Sequence, residues 1–102
     1  MNWKTTLLAG VTSIVLTGQA YADTTLKLVE VITSPERTET LKTLVAQYEE
    51  AHPGVTVEIT SLPWGQAFEK FATMVSAGQT PDIVEMPDTW LTLYANNGAL
   101  ED

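Results

Sequence analysis

Polar and aromatic side chains that could hold a small ligand are concentrated in three short stretches of the sequence. Sugar hydroxyls bond to Asp, Glu, Arg and Thr side chains, and an aromatic ring can cover the apolar C–H face of the same molecule. The composition of these stretches therefore suits a neutral polyhydroxylated ligand. The candidate ligand-binding residues are Ser34, Glu36, Arg37, Trp64, Met86, Asp88, Thr89 and Trp90.

Several of these residues also have a purely structural interpretation. Trp64 could be a lid packed on the helix that follows it, and both interpretations stay open because Trp is seldom completely buried. Trp90 lies beside Leu91 in the first turn of a predicted helix, so packing is favoured for it. Asp88 is expected to cap that helix.

The first stretch is open to other interpretations as well. Glu36 and Arg37 are expected to form a surface ion pair, worth well under about 1 kcal/mol. Thr33 and Ser34, at a helix N-terminus, could instead hold an anion. Ligands other than sugars therefore stay open.

Nothing in the sequence indicates catalysis. Thirteen carboxylates are present, but no spacing singles out an acid/base pair. The single histidine, His52, lies in a His-Pro-Gly turn, where a contact with the helix dipole is favoured. The sequence contains no Ser/His/Asp, Cys/His, metal-ligand or Gly-rich phosphate motif. We therefore expect neither an enzyme nor a metal or cofactor.

Alternating strands and helices are predicted to position the three stretches. The apolar run Leu26–Ile32 predicts a strand, and Ser34-Pro35 then begins a helix that ends at His52-Pro53-Gly54. The helix has a predicted core face, which consists of Leu41, Leu44, Val45 and Tyr48.

The second half of the chain repeats this pattern. Residues 55–60 alternate apolar and polar side chains, which predicts an edge strand with one solvated face. A second helix ends at Gly78, a short strand covers Ile83–Met86, and a third helix ends at Asn97-Gly98. The predicted core face of the second helix consists of Phe68, Phe71, Ala72 and Val75.

This β-α-β-α-β-α order predicts a parallel α/β sheet with right-handed crossovers. Ligands of such sheets bind at the carboxyl ends of the strands, which is where the three stretches fall. Three parallel strands leave sheet edges uncovered, so we expect the natural domain to continue beyond Asp102.

The first 22 residues have the pattern of a cleavable export signal. Lys4 precedes the apolar run Leu7–Leu16, and Ala20-Tyr21-Ala22 suits signal peptidase. The run is too short for a membrane anchor, which needs about 20 residues. The expected mature segment is 23–102, and without a cysteine for lipid attachment we expect it to be soluble in the periplasm.

The mature segment would be strongly acidic. It contains four basic and thirteen acidic residues, which gives a net charge of −9. This charge argues against binding to nucleic acid, whose phosphates attract basic proteins.

Three motifs follow one another with a regular spacing. A helix ending in Tyr-Glu-Glu runs into His-Pro-Gly-Val within 34–59, Ala77-Gly78 precedes Pro81-Asp82-Ile83-Val84, and a Trp-x-x-x-Tyr-Ala-x-x-Gly-x-Leu run spans 90–100. Together they resemble the family 1 extracellular solute-binding proteins. One departure is Pro87 at a position where many members have aspartate, with Asp88 one residue later.

The resemblance implies the beginning of a type II periplasmic-binding-protein lobe within a longer, two-lobed chain. It further implies a monomeric protein that captures a sugar or oligosaccharide and delivers it to the permease subunits of an ABC transporter. Two alternatives are a small secreted acidic module that binds another protein and the start of a secreted hydrolase.

Overall fold

The computed structural model describes residues 23–101 as three strands and three helices in alternation. The elements are β1 (Thr24–Glu30), α1 (Pro35–Ala51), β2 (Val55–Ser61), α2 (Trp64–Ser76), β3 (Ile83–Val84) and α3 (Asp88–Asn96). All three strands are parallel, in the order β2-β1-β3. The predicted α/β fold is confirmed, while the expected export signal lies outside the described residues.

β1 is the central strand of the sheet. It pairs with β2 along its whole length, from Thr24 opposite Val55 to Glu30 opposite Ser61. It pairs with β3 at only two positions. The edge position predicted for β2 is therefore confirmed.

Two strands end earlier than predicted. β1 ends at Glu30 because the Ile32 amide donates to the Glu85 side chain (3.2 Å) and not to a neighbouring strand. β3 ends at Val84, and from Glu85 onward the chain turns toward α3.

The predicted helix boundaries are correct for α1. The Arg37 amide donates to the Ser34 side chain (3.3 Å), Pro35 occupies the first turn, and His52 follows the last helical residue. A glycine with positive φ follows each helix within three residues, and these are Gly54, Gly78 and Gly98. Their left-handed conformation allows the chain to reverse at low cost.

The predicted cap of α3 is wrong. Pro87 occupies the N-cap position, and no side-chain hydrogen bond caps this helix within the described part of the chain. Because Pro87 has an extended backbone, Asp88 becomes the first helical residue. Its carboxylate there interacts favourably with the helix dipole.

The hydrophobic core lies on one face of the sheet, under α2 and α3. Val29 and Val31 are completely buried, and Phe71 packs edge-to-face on Tyr94 with ring centres 4.9 Å apart. Ala67 and Leu62 complete this core. Burial of this apolar surface stabilises the fold.

The predicted face of α2 is correct in part. Phe71 is buried, and Ala72 and Val75 are partly buried. Phe68 is 44% exposed, while Ala67 takes the buried position one turn before Phe71. The core face is thus rotated by one residue, because Phe68 contacts Trp90 instead of the sheet.

α1 lies on the opposite face and contains no buried residue, so its predicted core face is wrong as a buried surface. Leu44 and Tyr48 are 56% and 43% exposed. They border an open groove of about 350 Å³ between α1 and the apolar side chains of the strands. The physical reason is that α1 covers this face without a second described helix, whereas α2 and α3 share the other.

Among residues 23–101, no helix has both the length and the apolar character needed to cross a membrane.

Candidate functional site

The carboxyl ends of the three strands lie at one edge of the sheet, because the strands are parallel. Each strand runs into its helix there through a short connection. We call these connections the first corner (residues 31–34), the second corner (62–63) and the third corner (85–87). All eight candidate residues lie in these corners or in the first turns of the helices after them.

An aromatic cluster joins the second and third corners. It consists of Trp64 and Phe68 on α2 and Trp90 on α3. The Trp64 and Trp90 rings are nearly parallel, at 9°, with centres 6.0 Å apart. Phe68 meets Trp90 edge-on at 5.2 Å. These distances fall within the range in which aromatic rings attract one another.

The two tryptophans have different surroundings. Trp90 packs against the hydrophobic core, in agreement with the favoured prediction. Trp64 is 57% exposed, although it stacks on Trp90. An exposed indole supported by a second ring provides a firm, flat apolar surface. Such a surface can pack against the C–H face of a ligand ring.

Hydrogen bonds join the first and third corners on the other side of the sheet. Glu85 accepts from Nη2 of Arg37 (3.1 Å) and from the Ile32 amide (3.2 Å). Arg37 Nε also donates to the Ile32 carbonyl (3.1 Å). The predicted Glu36–Arg37 pair is wrong, because consecutive helical residues face different directions and Arg37 pairs with Glu85.

A buried carboxylate joins β1, α1 and β2 close to the same edge. Glu30 is 1% exposed and accepts hydrogen bonds from the hydroxyls of Thr38 (3.1 Å) and Ser61 (2.8 Å). Hydrogen bonding is what makes a buried polar group tolerable. Neither Glu30 nor Glu85 was among the candidates from the sequence, although a lone Glu inside the apolar run of β1 was a possible signal for Glu30.

The remaining candidates are only partly brought together. Ser34 uses its hydroxyl to cap α1, and Met86 packs against the core. Glu36, Asp88 and Thr89 are exposed. Ligand contact by any of the candidates stays a prediction.

A second open groove, of about 380 Å³, lies beside the first corner. It is lined by Glu30, Glu36, Arg37, Thr40, Leu41, Leu44 and Glu85. The aromatic cluster is not part of its lining. The described residues include no group of three or more His, Cys, Asp or Glu side chains placed to hold a metal ion.

Tyr94 is a buried tyrosine on α3. Burial raises the pKa of its phenol, since desolvation disfavours the charged form. Its hydroxyl is buried without a hydrogen-bond partner among the described residues. Tyr94 belongs to the hydrophobic core, where its ring contacts Phe71, and not to the aromatic cluster.

Comparison with known proteins determines the family. Residues 33–102 match the model of the bacterial extracellular solute-binding proteins. The chain belongs to this family. A solute-binding protein needs a surface for its solute, and the three corners with their aromatic and polar side chains supply candidates for such a surface.

Curated relatives of this solute-binding protein are longer. It is 29% identical over 103 residues to proteins of Brucella abortus and Brucella suis that are provisionally named binding proteins. The alignment covers 98% of this chain and 24% of the Brucella proteins. The chain therefore spans about a quarter of their length.

A further relative bears on attachment to the membrane. This solute-binding protein is 26% identical over 107 residues to an uncharacterized lipoprotein of Streptomyces antibioticus, and it again spans 24% of that protein. The expectation of a product without a lipid anchor is not supported by this relative. The 102-residue sequence itself contains no cysteine.

Among solved structures, the fold resembles a de novo designed cysteine esterase. The TM-score is 0.69 at 16% identity, over 78% of this solute-binding protein and 19% of the designed protein. At this identity the likeness concerns the fold alone. The cysteine in the name of the designed enzyme has no counterpart in these 102 residues.

Proposed function

We propose that the chain forms one side of a sugar-binding site in the periplasmic solute-binding component of an ABC importer. The observation that carries this proposal is the exposed Trp64 ring, stacked on Trp90 at the carboxyl edge of the sheet. In this role the protein binds a sugar or oligosaccharide, releases it unchanged and delivers it to the permease subunits.

The proposed contacts divide into an apolar and a polar part. Trp64 covers the C–H face of a pyranose ring, since its indole is exposed and firmly supported. Asp88 and Thr89 are exposed in the first turn of α3, close along the chain to Trp90. Their oxygens accept hydrogen bonds from sugar hydroxyls.

A single side of a site holds a sugar weakly. The chain spans about a quarter of its curated relatives, and the proposed partner surface is a second lobe that closes over the ligand. Closure excludes water and adds the missing polar contacts, because small-ligand sites bury most of the ligand surface.

Export to the periplasm is part of the same proposal. Support comes from the extracellular family and from the signal-like sequence of residues 1–22. The acidic character of residues 23–102, with four basic and thirteen acidic residues, suits an exported binding protein that remains apart from nucleic acid.

The experiment is a thermal-shift and tryptophan-fluorescence titration with glucose, galactose, xylose, maltose and cellobiose. It is run on the 102-residue chain and on any longer product of the same gene. A bound sugar raises the melting temperature with its concentration, because it stabilises only the folded state. Trp64→Ala is expected to weaken binding about tenfold, since aromatic contacts are worth roughly 1 kcal/mol or more.

The matched control is Tyr48→Ala. Tyr48 is also an exposed aromatic residue, but it stacks on His52 at the far end of α1. This variant should bind the sugar as well as the unsubstituted protein. Equal losses in both variants, or no binding of any of the five sugars, would contradict the proposal.

A further inference from the structure

We propose that Arg37 and Glu85 are positioning residues of the proposed sugar site, and that Arg37 does not itself contact the sugar. They hold the third corner against the first corner. In this way they fix the position of the first turn of α3, which contains Asp88 and Trp90. This inference rests on the proposed function, and it replaces the expectation that Arg37 is a ligand-binding residue.

The geometry is a closed ring of hydrogen bonds among three residues. Glu85 uses one carboxylate oxygen for Ile32 N–H and the other for Arg37 Nη2. Arg37 returns to the Ile32 carbonyl through Nε. The N–H and the C=O of Ile32 are thus both hydrogen-bonded to side chains from outside the first corner. Ile32 lies beyond the end of β1, so neither group pairs with a neighbouring strand.

The ring is placed where the backbone connection is weakest. β3 pairs with β1 at only Leu28–Ile83 and Val29–Val84, whereas β2 pairs with β1 at seven positions. Beyond Val84 the Glu85 amide makes one more bond to Val29 (2.9 Å). The side chain of Glu85 adds a further link between the two segments, because it accepts from the Ile32 amide. Glu85 lies in the short connection between β3 and α3.

The same ring accounts for the role of Arg37. Two of its guanidinium nitrogens donate to groups of the protein, and the carboxylate of Glu85 neutralises its charge. Planar guanidinium groups are suited to such two-armed bonding, which an ammonium group cannot reproduce. With both nitrogens engaged in this way, the guanidinium of Arg37 is committed to the protein and not to a ligand.

Amide hydrogen exchange at Ile32 tests the ring without any ligand. Glu85→Ala removes the acceptor, and Ile32 exchange is expected to become about fivefold faster, since it follows local opening. Arg37→Ala should speed exchange to a smaller extent, and Arg37→Lys should resemble Arg37→Ala because it loses the fork.

The control is a second ion pair with the same separation. Lys42 and Glu39 are also 3.1 Å apart, but both lie on α1 and join no other element. Glu39→Ala should leave Ile32 exchange unchanged. Equal exchange rates at Ile32 in Glu85→Ala and Glu39→Ala would overturn the proposal.

Sugar affinity tests the second part of the inference. The affinity is measured for whichever of the five sugars binds the unsubstituted protein most tightly. Arg37→Ala and Glu85→Ala should each weaken this binding about fivefold. The double variant should lose no more than either single variant, because both break one ring. A larger loss for Arg37→Ala, with additive losses in the double variant, would show direct contact of Arg37 with the sugar and overturn the inference.

The two proposals fail in different ways. If none of the five sugars binds, the proposed function fails, and the inference about the site fails with it. Accelerated Ile32 exchange in Glu85→Ala would in that case still show the ring as a structural tie. If a sugar binds and Ile32 exchange does not respond, the positioning role fails while the proposed function stands.

Discussion

The two faces of the sheet use the same three strands but are covered very differently. Under α2 and α3, Val29 on β1 and Val31 directly after it are completely buried. Under α1, Leu26 and Leu28 are only half-buried, and α1 has no buried residue at all. Hydrophobic periodicity thus identified the side of α1 that faces the sheet, although on α2 it was off by one residue. It does not determine how completely that side is covered.

The two faces should therefore differ in their sensitivity to substitution, and the largest effect is expected on the packed face. Phe71→Ala should lower the free energy of unfolding by about 3 kcal/mol, because it removes a buried ring and leaves a cavity beside Tyr94. Urea unfolding measures this loss. The matched control is Phe68→Ala on the same helix, which should lose about 1 kcal/mol. Similar losses in the two variants would contradict the rotated core face of α2.

A smaller loss is expected at the buried carboxylate on the α1 side. Glu30→Ala should lower the free energy of unfolding by about 2 kcal/mol, since the Thr38 and Ser61 hydroxyls lose their acceptor and a void remains. Glu50→Ala, at an exposed site on α1, should stay within about 0.5 kcal/mol of the unsubstituted protein. If Glu30→Ala left the free energy of unfolding unchanged, the hydrogen bonds of Glu30 would not stabilise the α1 face.

At Tyr94 the expected change is a gain. Tyr94→Phe should raise the free energy of unfolding by about 1 kcal/mol, because it removes a buried hydroxyl that has no partner in the described chain. Burial also raises the pKa of Tyr94 in the folded state. The associated stability is present below the ordinary tyrosine pKa of about 10 and is lost as the pH rises through the raised value.

Urea unfolding at pH 8 and at pH 11 measures both parts of this prediction. The unsubstituted protein should lose stability between these values, and Tyr94→Phe should lose less. A Tyr94→Phe variant that is less stable at pH 8 would indicate that the hydroxyl has a partner in solution.

The smallest effect is expected on the open face. Leu44→Ala should change the free energy of unfolding by about 0.5 kcal/mol or less, since the side chain is more than half exposed beside the α1 groove. The same urea titration measures it. A loss near that of Phe71→Ala would mean that the α1 face is covered in solution, and the contrast between the faces would disappear.

The sequence predicted the features that depend on neighbouring residues. The strand and helix order, the Ser34 cap and the ends of the helices follow from local patterns of apolar, proline and glycine residues. The family resemblance predicted from its motifs is confirmed by the matching family model.

Contacts between distant residues were not predictable in this way. Arg37 and Glu85 are 48 positions apart, and their contact depends on how β3 is placed beside β1. From the sequence alone, the adjacent residue Glu36 was the more obvious partner for Arg37. The burial of Glu30 likewise depends on hydroxyls from α1 and β2, which no local pattern assigns to it.

The distribution of the three left-handed glycines has a consequence for how this domain can diversify. Each of them follows the last turn of a helix and lies outside the three corners, and replacing it would strain the backbone. Within residues 23–101, positive φ values are confined to these glycines, so the connections at the carboxyl edge use ordinary backbone. Side chains at the proposed sugar site can therefore be exchanged without altering the glycine turns that shape the domain.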